Sequence, residues 1–141
     1  MYEKNNFKKD ILLFKSISNI FLICKNLEKS RKFYSDILEL KEKKKESDFI
    51  EYEIGGNCLV IHAPIKDKIM KEWNLPPVIK ERGSGVILTM VPENLEDTYQ
   101  KILKKEAKIL FPPKDVSWGY RIFMIEDPNG FVIEISEKLT Q

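Results

Sequence analysis

Two ionisable side chains, His62 and Glu134, lie in apolar stretches of strand length, where imidazole and carboxylate groups can do chemistry. His62 is the only histidine. Strand alternation places Glu134 opposite Ile133 and Ile135, and therefore on the less apolar face of its strand. Such groups bind divalent metals or transfer protons. We favour a structural role for His62, because a single histidine at a strand end more often hydrogen-bonds a neighbour.

One basic and four aromatic side chains supply binding chemistry for a small molecule. Arg121 shares a strand face with Phe123 and Ile125. It is predicted either to point into solvent, or to pair with Glu134 or grip an anionic ligand through two parallel hydrogen bonds. The aromatic side chains suit a flat apolar or cationic ligand, and each is also consistent with core packing. They are Phe21, Phe49, Trp118 and Tyr120.

The two cysteines, Cys24 and Cys58, lie in separate apolar runs. They have neither the spacing of metal ligands nor the density of a disulfide scaffold. We expect buried, reduced thiols.

The elements that position these residues follow one order twice. Asn26-Leu27-Glu28 and Asn94-Leu95-Glu96 each begin a helix, which follows a strand (16–24 or 86–91) and precedes three strand-length segments. Those segments are 40–45, 49–54 and 58–63 in the first unit, and 107–111, 118–125 and 131–136 in the second. The repetition predicts an α+β fold of two βαβββ modules, at about 16–63 and 84–136, within a single domain spanning 1–141.

The remaining segments have connecting or edge roles. Residues 64–83 form the linker, with a helix-like piece that ends before Pro76-Pro77. Residues 41–46 are typical of a solvated edge strand protected by lysines. Residues 1–15 fit neither repeat, and we expect them to cover an exposed sheet edge or to join a dimer contact.

The charge balance and hydropathy exclude two classes of partner. Lys and Arg total 24 against 22 for Asp and Glu, and both signs are scattered, so nothing indicates nucleic acid. No apolar stretch approaches the ~20 residues that span a bilayer, and the polar N-terminus is unlike a signal peptide. We therefore expect a cytoplasmic protein with no membrane partner.

Two segments resemble motifs of the vicinal oxygen chelate superfamily, which contains glyoxalase I, bleomycin-resistance proteins and extradiol dioxygenases. They are NLEKSRKFYSDILEL (26–40) and WGYRIFMIEDPNGFVIEI (118–135), and the resemblance covers 17–136. It implies two βαβββ modules that form a U-shaped, barrel-like sheet around a cavity, with helices outside, often in a homodimer. The turn 127–130 has a purely structural explanation, because Pro and Asn-Gly favour a turn between two strands.

The resemblance also implies where a divalent metal would be held by His, Gln or Glu. In the first module this position is Asn19, a weak ligand, and 83–88 contain no such residue in the second. Glu134 matches the final carboxylate of the family, and His62 ends the corresponding strand of the first module. A site made from Glu134 and His62 would need Asn19 or water as third ligand. We therefore expect no metal cofactor, with Glu134 and His62 as the fallback ligands.

The leading hypothesis is metal-independent binding of an aromatic or amphipathic small molecule in the cavity. One alternative is a metal-dependent lyase, isomerase or dioxygenase of the glyoxalase type. A second is a metal-free enzyme with Glu134 as general base on a carbonyl substrate. A third is a dimeric interaction module with a vestigial cavity. The predicted binding residues are Asn19, Phe21, Phe49, His62, Trp118, Tyr120, Arg121 and Glu134.

Overall fold

The chain follows the βαβββ order twice in its computed structural model, which describes residues 12–78 and 82–140. Module one contains β1 (Asn19–Ile23), α1 (Leu27–Arg31) with a π-helical continuation (Lys32–Ile37), β2 (Lys41–Lys45), β3 (Phe49–Ile54) and β4 (Asn57–His62). The linker contains α2 (Asp67–Glu72). Module two contains β5 (Ile87–Met90), α3 (Leu95–Leu103), β6 (Lys108–Val116), β7 (Tyr120–Glu126) and β8 (Val132–Lys138).

Each module forms its own four-stranded sheet. The strand orders are β1-β4-β3-β2 and β5-β8-β7-β6. In both sheets the first strand of the module pairs in parallel with the last, and the other neighbours are antiparallel. The predicted α+β fold of two βαβββ modules is thus confirmed. No strand pairing joins the two sheets within the described residues, so they do not close into a barrel.

The two long helices begin at the predicted capping residues. The side chain of Asn26 accepts a hydrogen bond from the Lys29 backbone N–H, and that of Asn94 accepts one from Asp97. Such a cap stabilises a helix by about 1 kcal/mol. The first helix ends at Ile37, and its last turns widen to a π-helix.

The helices cover one face of each sheet, and the core lies between them. Alternation along the strands sends the buried apolar side chains to this face. The opposite face of each sheet, here called the helix-free face, carries the other half of the strand residues. The core strand residues are Leu22, Ile50, Tyr52, Leu59 and Ile61 in module one, and Phe123, Ile125, Ile133 and Ile135 in module two.

The turn between β7 and β8 joins module two to helix α1 of module one. Asn129 Oδ1 accepts a hydrogen bond from the Lys25 backbone N–H (2.8 Å), and its Nδ2 donates to Ser30 Oγ (3.0 Å). The Tyr34 hydroxyl donates to Asp127 Oδ2 (2.7 Å). Both turn side chains are buried. The turn is therefore structural, as predicted, but its hydrogen bonds connect the modules as well as the strands. We call it the clasp.

Close backbone packing ties the start of module two to the clasp. Gly83 is buried, and a Cβ at this position would overlap the carbonyl O of Gly130. Gly130 has a φ of +91°, which only glycine adopts readily. Gly83 is therefore required because the backbone of Gly130 lies so close to it. Gly130 is required because of its own backbone conformation.

Several element boundaries differ from the sequence prediction. Strand β6 extends through Pro112-Pro113 to Val116, as an edge strand with two register shifts, because prolines lack the N–H that a central strand needs. Strand β7 begins at Tyr120, so Trp118 lies in the preceding turn. Cys24 is buried as expected, but Cys58 is only partly buried. Strand β2 is the exposed lysine-rich edge that was predicted.

Residues 1–11 lie outside the described part of the chain, so the prediction that they cover a sheet edge or join a dimer contact is untested for them. Residues 12–15 have exposed side chains. In the described ranges, no helix has the length and apolar character needed to cross a membrane.

Asn129→Ala is expected to lower the free energy of unfolding by about 2 to 4 kcal/mol, because it removes three side-chain hydrogen bonds, to Lys25, Ser30 and Asp127, and leaves buried partners unpaired. Urea denaturation of the full chain measures this loss. The control is Gln100→Ala, which removes an exposed 3.4 Å contact to Glu96 and should change stability by less than about 0.5 kcal/mol. Equal stability of the two variants would contradict the role of the clasp.

Burial, followed by the charge of the Asp127 carboxylate, raises the pKa of Tyr34 far above its usual range. The folded state therefore disfavours ionised Tyr34. The resulting stability is complete below the unfolded pKa of about 10 and is lost as the pH rises above it. We expect the unfolding free energy of the wild type to fall more steeply above about pH 10 than that of Tyr34→Phe, by up to about 1.4 kcal/mol per pH unit. Parallel curves from urea denaturation at several pH values would disprove this.

Candidate functional site

Three predicted residues form an aromatic cluster on the helix-free face of module one. Phe49 and His62 are paired across β3 and β4, and their rings stack at 6.1 Å with 10° between the planes. The ring of Phe21, from β1, lies 6.1 Å from that of His62. Phe21 is 54% exposed although it is on a strand. We call Phe21, Phe49 and His62 the aromatic face.

The His62 ring is held in place by its own strand end. Its Nδ1–H donates to the carbonyl O of Ala63 (2.7 Å), which leaves Nε2 as the acceptor of the neutral ring. Nε2 is 3.8 Å from Asp48 Oδ2, a loose contact with an exposed carboxylate. These contacts fix the orientation of the His62 ring, which favours a role for the ring as part of a flat surface.

A cation lies beside the aromatic face. Lys44 Nζ stands 5.8 Å from the centre of the Phe49 ring, within the range of a cation–π contact. Lys44 belongs to the edge strand β2 and is itself exposed. The ring of Phe49 is thus covered in part, whereas that of Phe21 is open.

Glu134 lies on the helix-free face of module two. Its neighbours on that face are Thr89 on β5 and Met124 on β7. The Thr89 hydroxyl donates to Glu134 Oε1 (2.8 Å). The carboxylate is thus oriented by a neutral hydroxyl, and the expected neighbour, Arg121, is absent from this face.

Arg121 lies on the opposite face of the same sheet. It pairs with Glu137 across β8, and its Nε donates to Asp115 Oδ1 (2.7 Å) on β6. The bond to Asp115 raises the pKa of Arg121, while it lowers that of Asp115. The side chain is 45% exposed. The predicted pairing with Glu134 is therefore wrong, because alternation along β7 separates the two side chains by the thickness of the sheet.

Trp118 and Tyr120 stand apart from the aromatic face. Trp118 is 65% exposed in the turn between β6 and β7. Tyr120 lies on the helix-free face of module two, but four residues along β7 from Met124, the partner of Glu134, which is about 13 Å. The predicted set of binding residues is thus divided between the two sheets.

The first and last strands pair in the same register in both modules, since Asn19 pairs with Cys58 as Ile87 pairs with Val132. Each residue of these strands in module one can therefore be matched to one residue of module two. The pair equivalent to Thr89 and Glu134 is consequently Phe21 and Val60. His62 corresponds to Ser136, two residues beyond Glu134.

The residues at the metal-ligand positions that the resemblance implies do not fit a metal ion. In the first strands, Asn19 is a neutral amide and its counterpart Ile87 is apolar. In the last strands, Glu134 is a carboxylate and its counterpart Val60 is apolar. An open catalytic metal site requires three good ligands. Among residues 12–78 and 82–140, no three His, Cys, Asp or Glu side chains are grouped so that they could hold a metal.

Asn19 lies in a groove of about 700 Å³ between the edge strands β1 and β5. Its Oδ1 accepts a hydrogen bond from the Ser18 hydroxyl (2.9 Å). The other side of the groove carries Thr89 and Val91. Asn19 therefore borders the junction of the two sheets, four residues along β1 from the strand end that carries Ile23.

Thr89 is the residue at this site that the sequence argument did not identify. The signal was present, because Thr89 and Phe21 each precede the capping asparagine of their module by five residues. Aligning the repeats on Asn26 and Asn94 would have shown that Thr89 corresponds to Phe21.

Protein dialysed with zinc, manganese, nickel or iron and then freed of unbound metal is expected to retain far less than one equivalent, because Glu134 lacks further ligands. Elemental analysis by mass spectrometry measures the content. Near-stoichiometric metal that is lost in Glu134→Ala but kept in Arg121→Ala would contradict the ligand assignment.

Comparisons with known proteins agree with this geometry. The Glyoxalase-like domain family matches residues 17–140. Similar solved structures include a protein of unknown function from Agrobacterium tumefaciens (TM-score 0.74, 23% identity, covering 91% of this chain and 98% of that one). Another is a glyoxalase/bleomycin resistance protein/dioxygenase from Nocardioides (TM-score 0.73, 22% identity, covering 92% and 87%).

A lactoylglutathione lyase from Agrobacterium tumefaciens is similar at a TM-score of 0.67 and 16% identity, over 86% of this chain and 92% of that one. No curated protein matches significantly. At these identities the solved structures establish the fold alone, whereas the family match extends over nearly the whole chain. The chain is a member of the Glyoxalase-like domain family, within the vicinal oxygen chelate superfamily.

Proposed function

We propose that this protein binds a flat, apolar small molecule on its aromatic face, without a metal ion and without changing it chemically. The observation that carries the proposal is the exposed Phe21 ring beside the stacked rings of Phe49 and His62. Exposed aromatic surface of this kind favours offset or edge-to-face contact with another ring. Burial of Phe21 by a ligand would also remove apolar surface from water.

The chemistry of the corresponding residues supports binding over catalysis. In module one, the positions equivalent to Thr89 and Glu134 hold Phe21 and Val60, which can neither bind a metal nor transfer a proton. Module one therefore has no counterpart of the polar pair Thr89 and Glu134. A reaction that needs polar groups from both modules lacks them on the side of module one.

A metal-free enzyme is the second candidate, because Glu134 remains on the helix-free face and is oriented by Thr89. A general base needs such a fixed carboxylate within reach of the proton it removes. This alternative places the reaction on module two, about Glu134, and leaves the aromatic face of module one to hold the rest of the substrate.

A homodimer and a cytoplasmic location are also part of the proposal. Exposed apolar side chains near the facing edges of β1 and β5 support self-association, since contiguous apolar surface often marks an interface. These side chains are Ile17, Ile20, Ile87 and Val91.

Phe21→Ala is expected to weaken the binding of 2-naphthol about tenfold, because an aromatic contact contributes about 1.4 kcal/mol. Isothermal titration calorimetry on the full chain measures the affinity. Leu103→Ala removes an exposed apolar side chain from α3 and should leave the affinity within twofold, as should Glu134→Gln on the other sheet. Unchanged affinity in Phe21→Ala, or a larger loss in Glu134→Gln, would overturn the assignment of the binding surface.

A further inference from the structure

A pocket of about 710 Å³ lies under the linker, at the end of β1. Its apolar wall includes Ile23, Met70 and Leu75. The volume falls within the range of small-molecule sites, about 300 to 1,000 Å³. No residue of this pocket belongs to the groove between β1 and β5. The linker is thus one wall of a separate cavity as well as a connection.

The linker pocket adjoins the aromatic face. Ile23 lines the pocket and pairs in register with His62, and it lies on the same face of β1 as Phe21. A ligand whose ring rests on Phe21 and His62 can therefore extend past Ile23 into the pocket. The pocket therefore begins beside the aromatic face, at Ile23.

The polar wall of the pocket carries more positive than negative charge. Among the residues that the structure describes, its ionisable side chains are Asp67, Lys71 and Arg82, which amount to two cations and one anion. Within the described ranges none of the three takes part in an ion pair. The net positive charge of these side chains is therefore available to a ligand, and it favours the binding of an anion.

Arg82 has an unmet hydrogen-bonding requirement. Its Nε is buried and has no hydrogen-bond partner among the described residues. A buried donor without a partner is costly, and a carboxylate satisfies a guanidinium with two parallel bonds. Arg82 also lies near the end of β1, because it lines the same pocket as Ile23.

We propose that the linker pocket binds the acidic group of the ligand, with Arg82 as the main contact and Lys71 as a supporting charge. The ligand is then an aromatic carboxylate, with its ring on the aromatic face and its carboxylate under the linker. This inference rests on the proposed function, because the aromatic face must hold the ring.

The test compares two probes of similar shape and opposite charge, 2-naphthoate and 2-naphthylmethylamine, by isothermal titration calorimetry on the full chain. We expect 2-naphthoate to bind at least tenfold more tightly. Arg82→Gln should weaken 2-naphthoate about tenfold and leave 2-naphthylmethylamine unchanged, as expected for one lost charge-assisted contact. Arg121→Gln, which removes the same charge from the far face of the other sheet, should change neither affinity by more than twofold.

A second variant covers the case in which Arg82→Gln fails to fold, which thermal unfolding would reveal. Lys71 is exposed on α2, so Lys71→Glu should fold and should weaken 2-naphthoate at least fivefold by reversing a charge in the pocket. Equal affinity for the two probes, or unchanged 2-naphthoate affinity in Lys71→Glu, would overturn the inference. If both probes bind equally and Phe21→Ala weakens both, only this inference fails; if neither binds, the proposed function fails with it.

Discussion

The hydrogen bonds of Asp127 and Asn129 determine how module one is held against module two. They connect the β7–β8 turn to Lys25, Ser30 and Tyr34, on both sides of the cap that begins α1. Ser30, Tyr34, Asp127 and Asn129 are buried, which strengthens the bonds between them and makes each unpaired partner costly. The end of β1 is fixed by the same contacts, and with it the edge of the aromatic face.

The two modules have the same backbone arrangement but carry different side chains on their helix-free faces. Their strands pair in the same register, and both helices begin with an asparagine cap. On the helix-free faces, however, one module presents Phe21 and Val60 where the other presents Thr89 and Glu134. A fold that repeats a unit can change one copy without altering the other, because the core residues lie on the opposite side of each strand. Membership of the family therefore establishes the scaffold, while the facing side chains decide what it binds.

The linker contributes to the site because of where its ends are attached. It leaves β4 just after His62 and reaches Gly83, which is packed against the backbone of the clasp. The described part of this segment passes the end of β1, where its apolar residues Met70 and Leu75 lie near Ile23. Lys71 on α2 and Arg82 at the end of the linker both line the pocket that results.

The sequence alone determined the repeated βαβββ order, the helix caps, the clasp turn and the face on which Glu134 lies, because each depends on local spacing or on strand alternation. Trp118 was misplaced because a turn and a strand start have similar local patterns. Only the tertiary structure showed that Arg121 and Glu134 lie on opposite faces of the sheet, that Thr89 orients Glu134, and that Phe21, Phe49 and His62 meet. These relations depend on pairing between strands that are far apart in the chain, and the register of such pairing follows from packing that local sequence does not encode.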